Sequence, residues 1–142
     1  MRKYMLLLIM FLTVLQVAAQ DNAIFEKGNK VFVKNPSKNE NADKASEELI
    51  NRLREWGYWQ VVENEQEADL KIVMDTKASK GITATSWGGT SFELTAQLSD
   101  KDDQVQWESN TYKSSPNGTN GFNSGRAVVK KLIRDLKKKF KD

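Results

Sequence analysis

The sequence predicts an α+β domain of two layers, in which two helices cover one face of a mixed, mostly antiparallel sheet, in the order β-α-β-β-β-β-β-α. Two stretches with an apolar period near 3.6 flank several shorter stretches in which apolar and polar residues alternate. The first helical stretch lies between two apolar stretches. Such a strand-helix-strand connection predicts a right-handed crossover between parallel strands that are neighbours or near-neighbours.

The first strand and the first helix come directly after a glycine turn. Residues 30–34, Lys-Val-Phe-Val-Lys, form a short apolar run that is typical of a strand. Across residues 42–56 the apolar side chains fall on one arc of about 140° when successive residues are placed 100° apart, which predicts an amphipathic helix. We expect Asn41 or Asp43 to cap its start and Gly57 to end it.

The middle of the chain predicts a series of strands joined by tight turns. The alternation is clearest from Phe92 to Leu98, where apolar residues occupy every second position. Gly88-Gly89 is a sequence that two-residue hairpin loops prefer, and residues 100–104 form the next polar turn. The remaining strands are predicted at residues 59–63, 70–75, 82–87, 92–98 and 105–112.

The last helix is predicted from Ser124 almost to the C-terminus, with one apolar and one basic face. Its apolar side chains fall within one arc of about 140° and are Val128, Val129, Leu132, Ile133, Leu136 and Phe140. The opposite arc of about 120° carries Lys130, Lys131, Arg134, Lys137, Lys138 and Lys141. The first arc is expected to face the core and the second to face outwards.

Residues 1–19 have the layout of a cleavable secretory signal. Two basic residues precede an apolar stretch over residues 5–17, and two small residues follow it. The apolar stretch is about 13 residues long, whereas crossing a bilayer needs roughly 20, so a transmembrane anchor is not expected. We predict cleavage between Ala19 and Gln20, which leaves a lead-in at residues 20–29, a single domain at 30–142, and a periplasmic or secreted protein.

Charge is distributed unevenly along the chain that follows the signal. This chain has 20 basic and 19 acidic residues, but residues 124–142 alone hold eight basic against two acidic side chains. Such asymmetry concerns surfaces and partners rather than fold. The basic face of the last helix is therefore a candidate surface for docking onto another envelope protein or an anionic envelope surface, and a merely solvated face is the alternative. No nucleic-acid partner is expected, and the oligomeric state stays open.

Most familiar catalytic chemistry is excluded by composition. The chain contains neither histidine nor cysteine, which removes Ser-His-Asp and Cys-His arrangements and zinc sites built on imidazole or thiolate. Carboxylate pairs remain open, and Ser79-Lys80 and Lys113-Ser114 are the adjacent serine-lysine pairs. Adjacent residues on an extended chain point in opposite directions, so we predict that the protein is not an enzyme and has no catalytic residue or cofactor.

The turn that begins at Asp100 resembles the start of a calcium loop. Oxygen ligands at positions one and three would be Asp100 and Asp102, but position six is Val105 and position twelve is Thr111, where an EF-hand needs glycine and glutamate. We therefore interpret residues 100–104 as a solvated hairpin turn and predict no metal site.

Exposed aromatic residues offer a second function. Trp59, which follows the helix stop, and Trp87, beside the glycine hairpin, are expected to be partly exposed, whereas Trp56 and Trp107 are expected in the core. With the polar, glycine-rich loop at residues 114–123, the exposed pair would suit a module that binds a small ligand or a glycan.

Three stretches and the final basic helix carry a resemblance to a known group of proteins. They are Glu67-Ala68-Asp69-Leu70-Lys71-Ile72-Val73, residues 92–100 and Val105-Gln106-Trp107-Glu108-Ser109. The pattern resembles a family of exported Gram-negative envelope proteins of unknown function. Its element order is similar to that of small domains in curli-export and penicillin-binding-protein-activator lipoproteins, which bind other envelope proteins. The resemblance implies an exported periplasmic protein of the binding or assembly type, and no functional residue transfers.

Overall fold

The computed structural model of the protein describes residues 23–80, 90–114 and 123–140. The elements in chain order are β1 (Lys30–Lys34), α1 (Glu40–Trp56), β2 (Gln60–Val61), a 3-10 turn (Glu65–Glu67), β3 (Leu70–Lys80), β4 (Thr90–Ser99), β5 (Val105–Glu108), β6 (Tyr112–Ser114) and α2 (Asn123–Lys139). The described strands form one sheet in the order β2-β1-β3-β4-β5, and β6 also pairs with β4. The predicted α+β class and element order are confirmed.

The sheet combines parallel and antiparallel pairs. In β1, Val31 lies opposite Val61 of β2 and Leu70 of β3, and both pairings are parallel. From β3 onwards the pairs β3–β4, β4–β5 and β4–β6 are antiparallel. The first two strands are therefore parallel neighbours, as the strand-helix-strand pattern predicted.

One face of the sheet is buried beneath both helices. Helix α1 packs on β1, β2 and β3, whereas α2 packs on β4 and β6 and against α1. Because side chains alternate along a strand, one set from each long strand enters the core while the other set lies on the opposite, open face. The buried strand residues are Val31, Val33, Leu70, Ile72, Met74, Phe92, Leu94, Ala96 and Leu98. Helix residues that meet them are Ala45, Leu49, Leu53, Val128, Val129, Leu132, Ile133 and Leu136.

Helix α1 begins earlier than its apolar pattern indicates. Asn39 is the N-cap: its side-chain oxygen accepts a hydrogen bond of 2.9 Å from the Ala42 amide. The predicted caps Asn41 and Asp43 are wrong, because both residues lie inside the first turn, beside the buried Ala42. The predicted end is confirmed: Gly57 has φ 66° and donates to the Leu53 carbonyl, a conformation that favours glycine.

Several strand boundaries differ from the predicted ones. The predicted strand at 59–63 is reduced to two residues, and the one predicted at 105–112 is divided into β5 and β6. At the division, Ser109 exchanges hydrogen bonds with Ala96, its side chain taking the place of a backbone acceptor. The predicted strand at 82–87 and its Gly88-Gly89 hairpin lie outside the described residues.

An aromatic cluster joins the two ends of the described chain. Phe25 of the predicted lead-in stacks on Phe140 at the end of α2, with ring centroids 5.1 Å apart. Trp59 lies 5.1 Å from the same Phe140 ring and donates its indole N–H to the Phe25 carbonyl at 3.3 Å. The described part of the lead-in is therefore packed onto the core rather than extended away from it.

Candidate functional site

The structure places most of the predicted basic face of α2 in solvent. Four of its residues are exposed, and we call them the basic stripe: Lys130, Arg134, Lys137 and Lys138. They span residues 130–138, which is about 12 Å along the helix at 1.5 Å per residue. The face opposite them is anchored by Val128, Leu132 and Leu136, which have no exposed surface. Lys141 lies outside the described residues.

Lys131 is not a free member of this surface. It is half-buried, and its ammonium group donates a 2.7 Å hydrogen bond to the Lys113 carbonyl of β6. Although Lys131 belongs to the predicted basic arc, its side chain ties α2 to the neighbouring strand. It is therefore left out of the basic stripe.

One acidic residue, Asp135, lies beside the stripe and is already engaged. Its carboxylate accepts a 2.8 Å hydrogen bond from the Tyr112 hydroxyl and lies 3.3 Å from Arg134. The Tyr112 hydrogen bond, helped by Arg134 and Lys138, lowers the pKa of Asp135 below its usual value. Burial, with the neighbouring carboxylate, raises the pKa of Tyr112 above its usual value. Asp135 therefore stabilises the contact between α2 and β6 and offsets the stripe only in part.

A second charged surface lies around β2 and on α1. Residues 40–69 hold nine acidic against three basic side chains, and several of these acids are paired: Glu48 with Arg52 at 2.7 Å, for example, and Glu65 with Lys34 at 2.9 Å. Among the exposed acids of this region, we call three the acidic edge: Glu47, Glu63 and Glu67. Glu63 is 94 % exposed, and its nearest described cation, Arg54, is 3.8 Å away.

A groove accompanies the acidic edge. It lies between α1 and the strands β1 and β2 and has a volume of about 450 Å³. Ile50, Val61 and Phe32 contribute apolar surface to it, and Glu47 and Glu63 are its acidic lining residues. Arg54 also lines the groove, so the lining carries two acidic side chains and one basic side chain.

On the open face of the sheet, polar side chains form ion pairs and hydrogen bonds with one another. Glu93 pairs with Lys113 at 3.0 Å, and Thr95 lies 3.1 Å from Thr111. Nearer β1, the buried ammonium of Lys71 contacts Asp103 and Glu65, which raises the pKa of Lys71 and lowers that of Asp103. These contacts hold the connections before β3 and β5 against the sheet.

The turn at residues 100–104 is the predicted hairpin turn. One carboxylate oxygen of Asp100 accepts hydrogen bonds from the backbone N–H groups of Asp102 and Gln104, both at 2.9 Å. The other oxygen accepts from the Gln106 side chain at 2.9 Å. Within residues 23–80, 90–114 and 123–140, no three acidic side chains gather as metal ligands would.

The predicted aromatic surface loses one of its two members. Trp59 is 2 % exposed, so the expectation that it is partly exposed is wrong. The cause is long-range: Phe25 and Phe140 close over it. Trp87 lies outside the described residues, as does all of the glycine-rich loop between Ser114 and Asn123. Trp56 and Trp107 are partly buried and pack against the core.

Comparisons with known proteins support the fold. No protein-family model matches the sequence, and no curated protein matches it. A solved PelC dodecamer from Paraburkholderia phytofirmans has a TM-score of 0.60 at 18% identity, over 78% of this chain and 89% of that one. A putative lipoprotein from Caulobacter crescentus has a TM-score of 0.54 at 10% identity, over 76% and 89% of the two chains.

A minor lipoprotein from Acinetobacter baumannii is also similar, with a TM-score of 0.51 at 13% identity over 81% of this chain and 92% of that one. The likeness shows a fold that occurs in lipoproteins of Gram-negative bacteria, in agreement with the resemblance seen in the sequence. In the part of the chain that the structure describes, no helix has the length and apolar character needed to cross a membrane.

Proposed function

We propose that the protein is an exported, non-enzymatic envelope protein of the periplasm that acts by binding protein chains, and that it assembles with copies of itself. The observation that carries this proposal is the basic stripe, a row of exposed cations on a helix whose other face is buried in the core. The solved PelC structure of the same fold is a dodecamer, which supports assembly as the form that binding takes.

The basic stripe has a cost for the isolated chain. Lys130 and Arg134, like Arg134 and Lys138, are four residues apart, and each such pair of like charges disfavours a helix by roughly 0.2–0.5 kcal/mol. Helix α1 instead places opposite charges at this spacing, as in Glu40 with Lys44 at 2.5 Å. An anionic partner would remove the repulsion in α2, which favours a binding surface over a merely solvated one.

The arrangement of reactive groups supports a non-enzymatic role. Ser79 and Lys80 are consecutive in β3. Lys113 and Ser114 are consecutive in β6, so their side chains lie on opposite faces of the sheet. Lys113 is also paired with Glu93. These are the contacts of a scaffold whose charged groups hold strands and turns in place.

Expression of the full chain in a Gram-negative host tests the proposal. We expect the protein in the periplasmic fraction with Gln20 at its N-terminus. We also expect sedimentation velocity of the purified mature chain, from 1 to 200 μM in about 50 mM NaCl, a salt concentration at which surface charges are weakly screened, to show a mass that rises above that of the monomer. A cytoplasmic protein that keeps residues 1–19 would contradict export, and a monomer throughout this range would contradict assembly.

A further inference from the structure

We infer that copies of this chain associate head to tail, the basic stripe of one copy docking on the acidic edge of the next. This inference rests on the proposed function, because it names the surfaces through which assembly occurs. Its basis is the charge, position and shape of the two surfaces.

The two surfaces match in charge. Helix α2 (Asn123–Lys139) carries seven basic against one acidic side chain, a balance of +6, and residues 40–69 carry three basic against nine acidic side chains, a balance of −6. The remainder of the chain after residue 19 contributes only +1. The mature protein is therefore nearly neutral as a whole but strongly polarised, so a second copy offers each surface a partner of equal and opposite charge.

Contacts between the two surfaces are not made within one molecule in the described residues. Helix α2 packs on β4, on β6 and on α1, whereas the acidic edge belongs to α1 and to the chain around β2. At the start of α2, Arg126 lies 3.6 Å from Glu48 of α1, and at its end Phe140 packs on Trp59, but none of these residues belongs to the stripe or to the edge. Among the described residues, no ion pair joins the stripe to the edge. Both surfaces are therefore left to a second copy.

The charges also restrict the symmetry of the contact. A contact that joined two α2 helices, or two acidic edges, would bring like charges together. Docking the stripe of one copy on the edge of the next uses two different patches. Unless two copies make this contact reciprocally, it repeats until it closes into a ring or extends as a filament.

The groove gives the stripe a place to dock. Its apolar surface, to which Ile50 and Val61 contribute, suits the aliphatic stems of lysine side chains, which bury their methylene groups while their ammonium groups reach a polar rim. Glu47 and Glu63 supply carboxylates there. The positive charge of Arg54 disfavours a second cation in the groove. Because Arg54 lies 3.8 Å from Glu63, the Glu63 carboxylate would have to contact both Arg54 and the incoming lysine.

Reciprocal charge reversal tests the inference. One variant carries Lys130→Glu and Lys137→Glu, the other Glu47→Lys and Glu63→Lys, and a matched control carries Lys38→Glu and Lys77→Glu, two exposed lysines away from both surfaces. We expect each surface variant alone to self-associate about tenfold more weakly or worse, and the control to stay within about twofold of the wild type. An equimolar mixture of the two surface variants should recover association, because each reversed surface then meets a complementary one. Circular dichroism confirms that each variant is folded.

The outcomes separate this inference from the proposed function. If both surface variants form the same oligomers as the wild type, assembly still holds, but the stripe and the edge are not the docking surfaces. Loss of association that the mixture does not recover would overturn the pairing of stripe with edge. A wild type that stays monomeric overturns both proposals. A monomer that instead binds vesicles containing phosphatidylglycerol through Lys130 and Lys137 would assign the stripe to a lipid surface and overturn the inference.

Discussion

The two helices of this protein have the same length and the same relation to the sheet, but their outer faces differ. Each contains 17 residues and lies on the covered face of the sheet. Helix α1 has five acidic and three basic side chains, two pairs of which form ion bridges one turn apart. Helix α2 has seven basic side chains, and its single acid, Asp135, is held by Tyr112. Packing therefore constrains the inner faces alike, while the outer faces are free to differ.

The largest effect should come from the inner faces, where we expect the two helices to be equivalent. Leu49 of α1 and Leu132 of α2 are both fully buried. Replacing either by alanine should lower the free energy of unfolding by about 2–5 kcal/mol, since each substitution removes apolar contacts and leaves a cavity. Urea denaturation measures both, with the exposed Asn51→Ala as the control. If one substitution lowers the free energy of unfolding by less than half as much as the other, the two helices do not contribute equally to the core.

A smaller effect should come from the hydrogen bond that joins α2 to β6. We expect Tyr112→Phe to lower the free energy of unfolding by about 1–2 kcal/mol near neutral pH, because it leaves the Asp135 carboxylate without its hydroxyl donor. Urea denaturation of both proteins across a pH series measures the difference. The corresponding change in α1, Glu48→Gln, weakens contacts made within and between helices.

The pH dependence of this difference follows from the two pKa shifts. The raised pKa of Tyr112 means that its contribution is fully present below pH 10, its ordinary range, and is lost as the pH rises through the folded value. The lowered pKa of Asp135 means that its contribution is present above its ordinary range near pH 4 and is lost as the pH falls through the folded value. The wild type and Tyr112→Phe should therefore converge at both extremes. A difference that stays constant from pH 3 to 12 would show that ring packing, rather than the hydrogen bond, is what the substitution removes.

The fold was predictable from the sequence because its main signals are local and repeated. Alternation in β4 and the apolar arcs of both helices depend on neighbouring residues, and burial follows them closely. The start of α1 was predicted too late because the apolar arc begins at Ala42, whereas the cap depends on the hydrogen bond that the Asn39 side chain accepts from the Ala42 amide. The division between β5 and β6 likewise depends on how Ser109 meets Ala96 across the sheet.

The candidate site was predictable only in part. The basic arc of α2 is a helical pattern, and four of its residues are exposed as expected. Trp59 was misjudged because its burial depends on Phe25, 34 residues earlier, and on Phe140 near the C-terminal end. The engagement of Lys131 with Lys113 and the position of the acidic edge around β2 depend on topology. Charges can be counted in a sequence, but their positions in the fold cannot be read from it.

The smallest effect on the free energy of unfolding should come from the outer faces. Removing a charge there should stabilise the protein in α2 and destabilise it in α1. Lys130 has like charges four residues away on both sides, at Arg126 and Arg134, so Lys130→Gln should raise the free energy of unfolding by a few tenths of a kcal/mol. Glu48 lies 2.7 Å from Arg52 and 3.6 Å from Arg126, so Glu48→Gln should lower it by about 0.5 kcal/mol. Urea denaturation at low protein concentration measures both values for the monomer.

Salt provides the control for this last comparison. Because both effects are electrostatic and largely exposed, about 0.5 M NaCl should reduce each towards zero. Replacing a charge on the open face of the sheet, as in Lys77→Gln, should change little under either condition. A loss of stability in Lys130→Gln would mean that the Lys130 ammonium already has an anionic partner within its own chain. The stripe would then be neutralised internally, and the reason for assigning it to a second copy would disappear. A gain in stability, with weaker self-association in the same variant, would show that α2 keeps an unfavourable charge because assembly uses it.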